Sequence, residues 1–120
     1  MVAKQMTFDE YQALARRTQN KELSMDLKQR HALHGLSSEV GEIHGLFQKL
    51  YQGHCLNLND LEKEIGDLLW FAAELCDSCG WSMREVAEKN IEKLEKRYPK
   101  GFDAERSIHR KEYEDGSEEG

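Results

Sequence analysis

The sequence predicts an all-α fold: an antiparallel four-helix bundle, completed by association with further copies of the chain. Apolar residues recur at helical spacing along most of the sequence, which is typical of amphipathic helices. Proline occurs once, at Pro99, and charged residues make up 33% of the chain, a balance that suits helices with one solvated face. At 120 residues, the chain has the length of one domain.

Four helices are predicted, roughly over residues 7–19, 25–52, 60–79 and 83–98. Three of them begin with a polar capping residue three positions before a glutamate, so that its side chain can accept from a free backbone N–H. These pairs are Thr7 with Glu10, Asn59 with Glu62, and Ser82 with Glu85.

The helix ends are marked by residues that do not continue a helix. Gly53 and Gly80 are expected to end the second and third helices, and Pro99 closes the fourth. The second helix is long, and we expect a bend or interruption at one of its three glycines, Gly35, Gly41 or Gly45. Because the linkers are short, neighbouring helices should pack antiparallel.

The domain organisation follows from where the periodic pattern stops. Residues 1–102 are predicted to form a single all-α domain. Residues 103–120 become polar and end in Glu-Asp-Gly-Ser-Glu-Glu-Gly, so we expect a flexible C-terminal tail.

Composition excludes several classes of function. A net charge of −6 argues against a nucleic-acid partner, since such proteins are usually basic. No apolar stretch is long enough for a membrane span, and residues 1–9 lack the apolar core of a signal peptide. Three cysteines without framework spacing favour a reducing cytoplasm.

The third helix indicates self-association. Its middle, residues 68–73, is apolar on every side, and a helix of this kind is usually buried all round. A small four-helix monomer seldom covers one helix completely. We therefore expect a homodimer or a dimer of dimers.

Carboxylates three residues apart are common in this acidic chain, and most belong to solvated faces. Glu39 differs because it falls inside the apolar stripe of the second helix, and Glu42 lies at the border of that stripe. An ionised carboxylate inside an apolar stripe needs a cation or a hydrogen-bond donor as its partner. On the third helix, Glu64 flanks the stripe and Asp67 lies further round, although angle alone does not separate them from Glu62. The remaining glutamates point away and are expected at the surface: Glu74, Glu88, Glu92 and Glu95.

Two carboxylate pairs on adjacent helices can converge into a hard-oxygen site. Such a site suits Mg²⁺, or alternatively Mn²⁺, with phosphate oxygens as further ligands. On the fourth helix, Asn90, Lys93 and Arg97 lie together beside the apolar stripe. They are either ordinary charged flanks or a group that binds phosphates next to the metal.

These residues resemble the MazG-like nucleotide pyrophosphohydrolases of the all-α NTP pyrophosphatase superfamily. The resemblance covers about residues 30–103 and is carried by three segments in order. They are Glu39-Val40-Gly41-Glu42, then Glu64-Ile65-Gly66-Asp67, and a closing stretch over residues 90–99 followed by Gly101-Phe102. Together, the spacing and the glycines inside both motifs are far more specific than one Glu-x-x-Glu.

The resemblance implies hydrolysis of a nucleoside triphosphate between its α and β phosphates, giving a nucleoside monophosphate and pyrophosphate. Glu39, Glu42, Glu64 and Asp67 would hold Mg²⁺ and form the catalytic group, with one of them, such as Glu42, acting as base through a water. Contacts to the nucleotide are expected from four residues: Lys49, Asn90, Lys93 and Arg97. The base and sugar are left open, and Trp70 and Phe71 either shape a base pocket or pack in the core.

Three other functions can be compared with the residues present. A di-iron bundle requires Glu-x-x-His, which the chain lacks. A zinc site would use His54 and three cysteines, but Cys76 and Cys79 fall in an apolar stripe, as buried thiols do. The non-enzyme alternative is a helical dimerisation or adaptor module with degenerate carboxylates, which would show no metal dependence.

Overall fold

A computed structural model describes residues 5–109, and every element of regular structure longer than a single bridge within that range is helical. The all-α prediction is confirmed. A short 3-10 turn continues each of the first two helices, at residues 16–18 and 49–52. The α-helices are α1 (Phe8–Ala15), α2 (Met25–Gln48), α3 (Leu58–Cys79), α4 (Met83–Arg97) and α5 (Ala104–Ile108).

Of two helix starts predicted from capping residues, the structure confirms one and corrects the other. Thr7 and Glu10 form the predicted capping box: the Thr7 N–H donates to Glu10 Oε1 (2.8 Å) and the Glu10 N–H donates to Thr7 Oγ1 (3.1 Å). The prediction for α3 was wrong, because Asn57 rather than Asn59 caps it. The Asn57 side chain accepts from the Asp60 N–H at 3.1 Å, which satisfies a free donor and starts the helix two residues earlier.

The predicted helix ends are confirmed at two glycines. Gly53 and Gly80 adopt left-handed conformations, with φ of 92° and 73°, which residues with a Cβ rarely adopt. The expected interruption of α2 is absent, since the helix runs unbroken from Met25 to Gln48. The helix propensity of glycine is a weak preference that packing against a neighbouring helix overrides.

The chain divides into two compact units, the first ending at Met83 and the second beginning at Arg84. In the segment predicted as a flexible tail, residues 104–108 form α5, which Asp103 caps by accepting from the Glu105 N–H at 2.9 Å. Residues 110–120 lie outside the described range. A single domain over residues 1–102 stays a prediction.

Within the first unit, α1 and α2 both pack against α3, and α2 runs antiparallel to α3, since Gln29 meets Cys79 and Gly35 meets Phe71. The centre of the α1–α3 contact is a small core of Ala15, Ala73 and Met83. Beside it, Asp77 accepts hydrogen bonds from Gln12 Nε2 (2.8 Å), Gln19 Nε2 (2.8 Å) and the Arg16 guanidinium (2.9 Å). These bonds tie α1 and the turn that follows it to the C-terminal half of α3.

The α2–α3 contact contains a buried carboxylate that the sequence did not predict. Glu74 was expected at the surface, and this was wrong: it is fully buried, with a 2.7 Å hydrogen bond between its Oε1 and Nδ1 of His31 on α2. Seven residues after Asp67, Glu74 returns to nearly the same angle around α3. That face packs on α2, where His31 is the partner of Glu74 Oε1, while Glu74 Oε2 is buried without a partner among the described residues.

Candidate functional site

Three of the four predicted carboxylates converge where α2 packs on α3. Glu39 of α2 and Glu64 and Asp67 of α3 each place one carboxylate oxygen within 4.8 Å of the other two. Because the helices run antiparallel, the Glu39 turn of α2 lies beside the turn of α3 that carries Glu64 and Asp67. The first unit therefore presents a compact group of hard oxygen donors.

Glu42, the fourth predicted carboxylate, lies one turn beyond Glu39 and adjoins the group. Its pKa is raised, chiefly by a hydrogen bond with Glu64 and by the charge of that carboxylate. The hydrogen bond from Glu42 lowers the pKa of Glu64, but a hydrogen bond with Glu39, burial and the charges of Glu39 and Asp67 outweigh it, so this pKa is also raised. Like charges held this close favour proton uptake or a bound cation.

Two oxygens of the group have no partner among the described residues. Glu39 Oε2 and Glu64 Oε2 are both buried and accept no hydrogen bond. A buried polar atom without a partner is unfavourable, and for a carboxylate the cost is larger. A divalent cation would satisfy both oxygens, so the residues present fit a metal of the Mg²⁺ or Mn²⁺ type.

The predicted phosphate contacts lie on other elements. Lys49 is exposed in the 3-10 turn after α2, ten residues beyond Glu39, which is about 15 Å along the helix axis. Asn90, Lys93 and Arg97 lie on α4 in the second unit, where Asn90 and Lys93 are exposed and Arg97 is buried. Their position relative to the carboxylates stays a prediction.

An apolar groove in the first unit was not predicted from the sequence. It has a volume of about 240 Å³ and is lined by Met6, Thr7, Phe8, Tyr11 and Leu69. The pKa of Tyr11 is raised by burial and by the negative charge of Asp67, so the phenol lies within electrostatic reach of the carboxylate group. The available signal was an aromatic pair three residues apart on α1, at positions 8 and 11.

Trp70 and Phe71, which could either shape a base pocket or pack in the core, make packing contacts. Trp70 packs against the α1–α3 core and its Nε1–H donates to Thr18 Oγ1 at 2.9 Å. Phe71 lies against Gly35 of α2 and edge-on to Trp70, with ring centroids 5.0 Å apart. The thiols of Cys76 and Cys79 are free, and Cys79 Sγ accepts from Gln29 Nε2 at 3.2 Å.

Over residues 5–109, no helix combines the length and the apolar character that crossing a bilayer requires.

Comparison with known proteins places the two carboxylate motifs in a family. The chain is 31% identical over 72 residues to the Gene 37 protein of Mycobacterium phage L5, a match that covers 56% of this chain and 63% of that protein. The match thus spans less than two thirds of the phage protein. No solved structure gives a significant match. The model of the MazG nucleotide pyrophosphohydrolase domain matches residues 27–102, which include both carboxylate motifs and α4. The chain therefore belongs to the MazG nucleotide pyrophosphohydrolase family.

Proposed function

We propose that this protein is a Mg²⁺-dependent pyrophosphohydrolase that cleaves the α–β phosphate bond of a nucleoside or deoxynucleoside triphosphate. The products are a nucleoside monophosphate and pyrophosphate, as in house-cleaning of the nucleotide pool. The observation that carries the proposal is the group of Glu39, Glu64 and Asp67, in which two buried oxygens have no partner. Family membership supports the same reaction class.

In this proposal Glu39, Glu42, Glu64 and Asp67 hold Mg²⁺, with Mn²⁺ as the alternative ion. When bound, the ion would neutralise charge on the triphosphate and would make a nearby water more acidic. Glu42 is exposed at the edge of the group and its pKa is raised, which suits a residue that takes a proton from the attacking water. That water forms a new P–O bond, the bridging P–O bond breaks, and pyrophosphate leaves.

The net charge of −6 makes approach of a triphosphate unfavourable without local cations. Lys49, Asn90, Lys93 and Arg97 are proposed to contact the phosphates and the nucleotide. Arginine and lysine donate charge-assisted hydrogen bonds to phosphate oxygens and stabilise charge that develops on the leaving group.

Self-association is proposed as part of the functional state, as a homodimer or a dimer of dimers. In the single chain, α2 and α3 expose large apolar side chains, among them Val40 (43% exposed), Phe47 (41%) and Ile65 (54%). Repeated apolar exposure on adjacent helices is typical of an interface. A reducing cytoplasm is proposed as the location because all three cysteines are free.

The test is a panel of canonical and modified nucleoside triphosphates assayed with Mg²⁺ and with Mn²⁺, with nucleoside monophosphate and pyrophosphate quantified separately. Reaction in ¹⁸O-labelled water shows which phosphorus is attacked. Activity should be lost in Glu39→Gln and in Asp67→Asn. Glu62→Gln is the matched control, since Glu62 is an exposed carboxylate of α3 outside the group.

Two outcomes would contradict the proposal. Release of orthophosphate and a nucleoside diphosphate would place the cleavage at the wrong bond. No turnover across the panel with either cation would favour the non-catalytic dimerisation or adaptor module.

A further inference from the structure

The α2–α3 contact includes a close approach at a glycine. A Cβ built at Gly35 would overlap the ring of Phe71 on α3. No other glycine within residues 5–109 meets such an obstacle, and Gly41, Gly45 and Gly66 all face open space. The absence of a side chain at Gly35 therefore allows α2 to lie directly against the Phe71 ring.

The Phe71 ring contacts two further aromatic rings, which limits its movement. Trp70 meets it edge-on at 5.0 Å between ring centroids, and His31 lies tilted at 5.8 Å. Each neighbour is itself anchored: Trp70 Nε1–H donates to Thr18 Oγ1 at 2.9 Å, and His31 is hydrogen-bonded to the fully buried Glu74. A larger side chain at position 35 would therefore either push the ring against these anchored neighbours or push α2 away from α3, and a spacer between the two helices requires the second.

This contact lies one helical turn from the carboxylate group on both helices. Gly35 is four residues before Glu39, and Phe71 is four residues after Asp67, so each step is about 6 Å along the axis and returns to the same face. Because helices are stiff over one turn, the distance between α2 and α3 at Gly35 and Phe71 determines the distance between them at Glu39 and Asp67.

We infer that the Gly35–Phe71 contact, held by Trp70 and by the His31–Glu74 pair, is a spacer that sets the width of the metal site and its preference for a small cation. The inference rests on the proposed function for the identity of that cation. Mg²⁺ requires near-ideal octahedral geometry at 2.0–2.1 Å, whereas Ca²⁺ accepts flexible sites at 2.3–2.6 Å. A wider seam therefore weakens Mg²⁺ binding more than Ca²⁺ binding.

The test measures binding of MgCl₂ and of CaCl₂ to the metal-free full chain by titration calorimetry. In Gly35→Ala, the Mg²⁺ dissociation constant should rise about tenfold or more, while that of Ca²⁺ changes less than about threefold. Gly45→Ala is the matched control on the same helix, because it faces open space. It should leave both constants unchanged and raise the melting temperature, since alanine favours the helix.

A second variant separates spacing from misfolding. In the double variant Gly35→Ala/Phe71→Leu, the smaller side chain should make room for the new methyl group and return the ratio of Mg²⁺ to Ca²⁺ affinity towards that of the wild type. If Gly35→Ala alone does not fold, recovery of the circular dichroism spectrum in the double variant supports the same clash.

An unchanged affinity ratio in a folded Gly35→Ala variant would overturn the spacer and leave the proposed function intact. So would failure of Phe71→Leu to rescue either the ratio or the fold. A wild-type protein that binds neither cation would overturn the proposed function and the spacer together.

Discussion

Replacing Asp77 by asparagine should lower stability without touching the carboxylate group. The side chain of Asp77 is 9% exposed and accepts from three side chains: Gln12, Arg16 and Gln19. Burial alone would raise its pKa, but the hydrogen bonds from Arg16, Gln19 and Gln12 and the Arg16 charge outweigh burial and lower it. The native structure therefore stabilises the ionised carboxylate.

The loss of stability can be worked out from the hydrogen bonds that an asparagine side chain can still accept. If its oxygen takes the place of Oδ1, Gln12 and Arg16 keep a neutral acceptor, while the new NH₂ group faces the Gln19 donor. Hydrogen bonds to a charged group contribute about 1.5–3 kcal/mol, and neutral ones about half as much. Losing one bond and weakening the others should cost about 2 kcal/mol, or about 8 °C in melting temperature for a domain of this size.

The pH dependence of that difference has a definite sign. Because the pKa of Asp77 in the folded state is below its ordinary value of 3.8, the stabilisation is complete above that value and is lost as the pH falls through the folded pKa. The difference in unfolding free energy between wild type and Asp77→Asn should therefore be constant from pH 7 to pH 5 and should shrink below pH 4.

Urea unfolding followed by far-UV circular dichroism at pH 7, 5 and 3.5 measures both quantities. Asp26→Asn is the control: its ion pair with Arg30 is 3.4 Å long and both side chains are about two-thirds exposed, so its loss should cost under about 0.5 kcal/mol. The reasoning would be refuted if Asp77→Asn lowered the unfolding free energy at pH 7 by no more than Asp26→Asn does. It would also be refuted if the loss for Asp77→Asn grew towards pH 3.5.

Three further predictions concern the cation and the interface. Millimolar Mg²⁺ should raise the melting temperature of the wild type, EDTA should reverse the rise, and Glu64→Gln should show neither effect in a thermal shift assay. Because the pKa values of Glu42 and Glu64 are raised, the metal-free protein should gain stability from these groups as the pH falls from neutrality towards 4.5. Saturating Mg²⁺ should reverse that trend. A urea midpoint of the metal-free protein that does not change with pH would contradict the prediction. Ile65→Lys places a charge on an exposed apolar position of α3 and should reduce the mass measured by light scattering to that of one chain, whereas a wild type that is already monomeric would argue against self-association.

The sequence predicted elements well where the signal is local. The capping box of Thr7 and the left-handed Gly80 depend on residues a few positions apart, and both boundaries were found. Asn57 was missed because Asn59 offers the same chemistry with a glutamate three positions later, and which asparagine caps α3 depends on where the preceding loop turns.

For the carboxylates, the sequence gives the direction of each side chain, but only the fold shows which of them are buried. Helical angle indicated that Glu39 lies inside an apolar stripe, and Glu39 does meet Glu64 and Asp67. The same angle placed Glu74 outside the stripe of α3, yet it is fully buried. Angle gives the direction of a side chain from its own helix, but burial depends on whether another helix covers that direction. Here the covering helix is α2.

The partners of each buried carboxylate indicate whether it stabilises the fold or belongs to the candidate metal site. Asp77 is surrounded by three donors from α1 and the residues that follow it, whereas Glu74 is hydrogen-bonded to His31 through Oε1 and its Oε2 has no partner within residues 5–109. Glu39 and Glu64 differ because they lie beside other carboxylates: one oxygen of each lies within 4.8 Å of the other and of an oxygen of Asp67, and these groups repel one another when ionised. Folding alone gives no reason to bring such groups together, whereas the proposed binding of a divalent cation that carries a polyphosphate would give one.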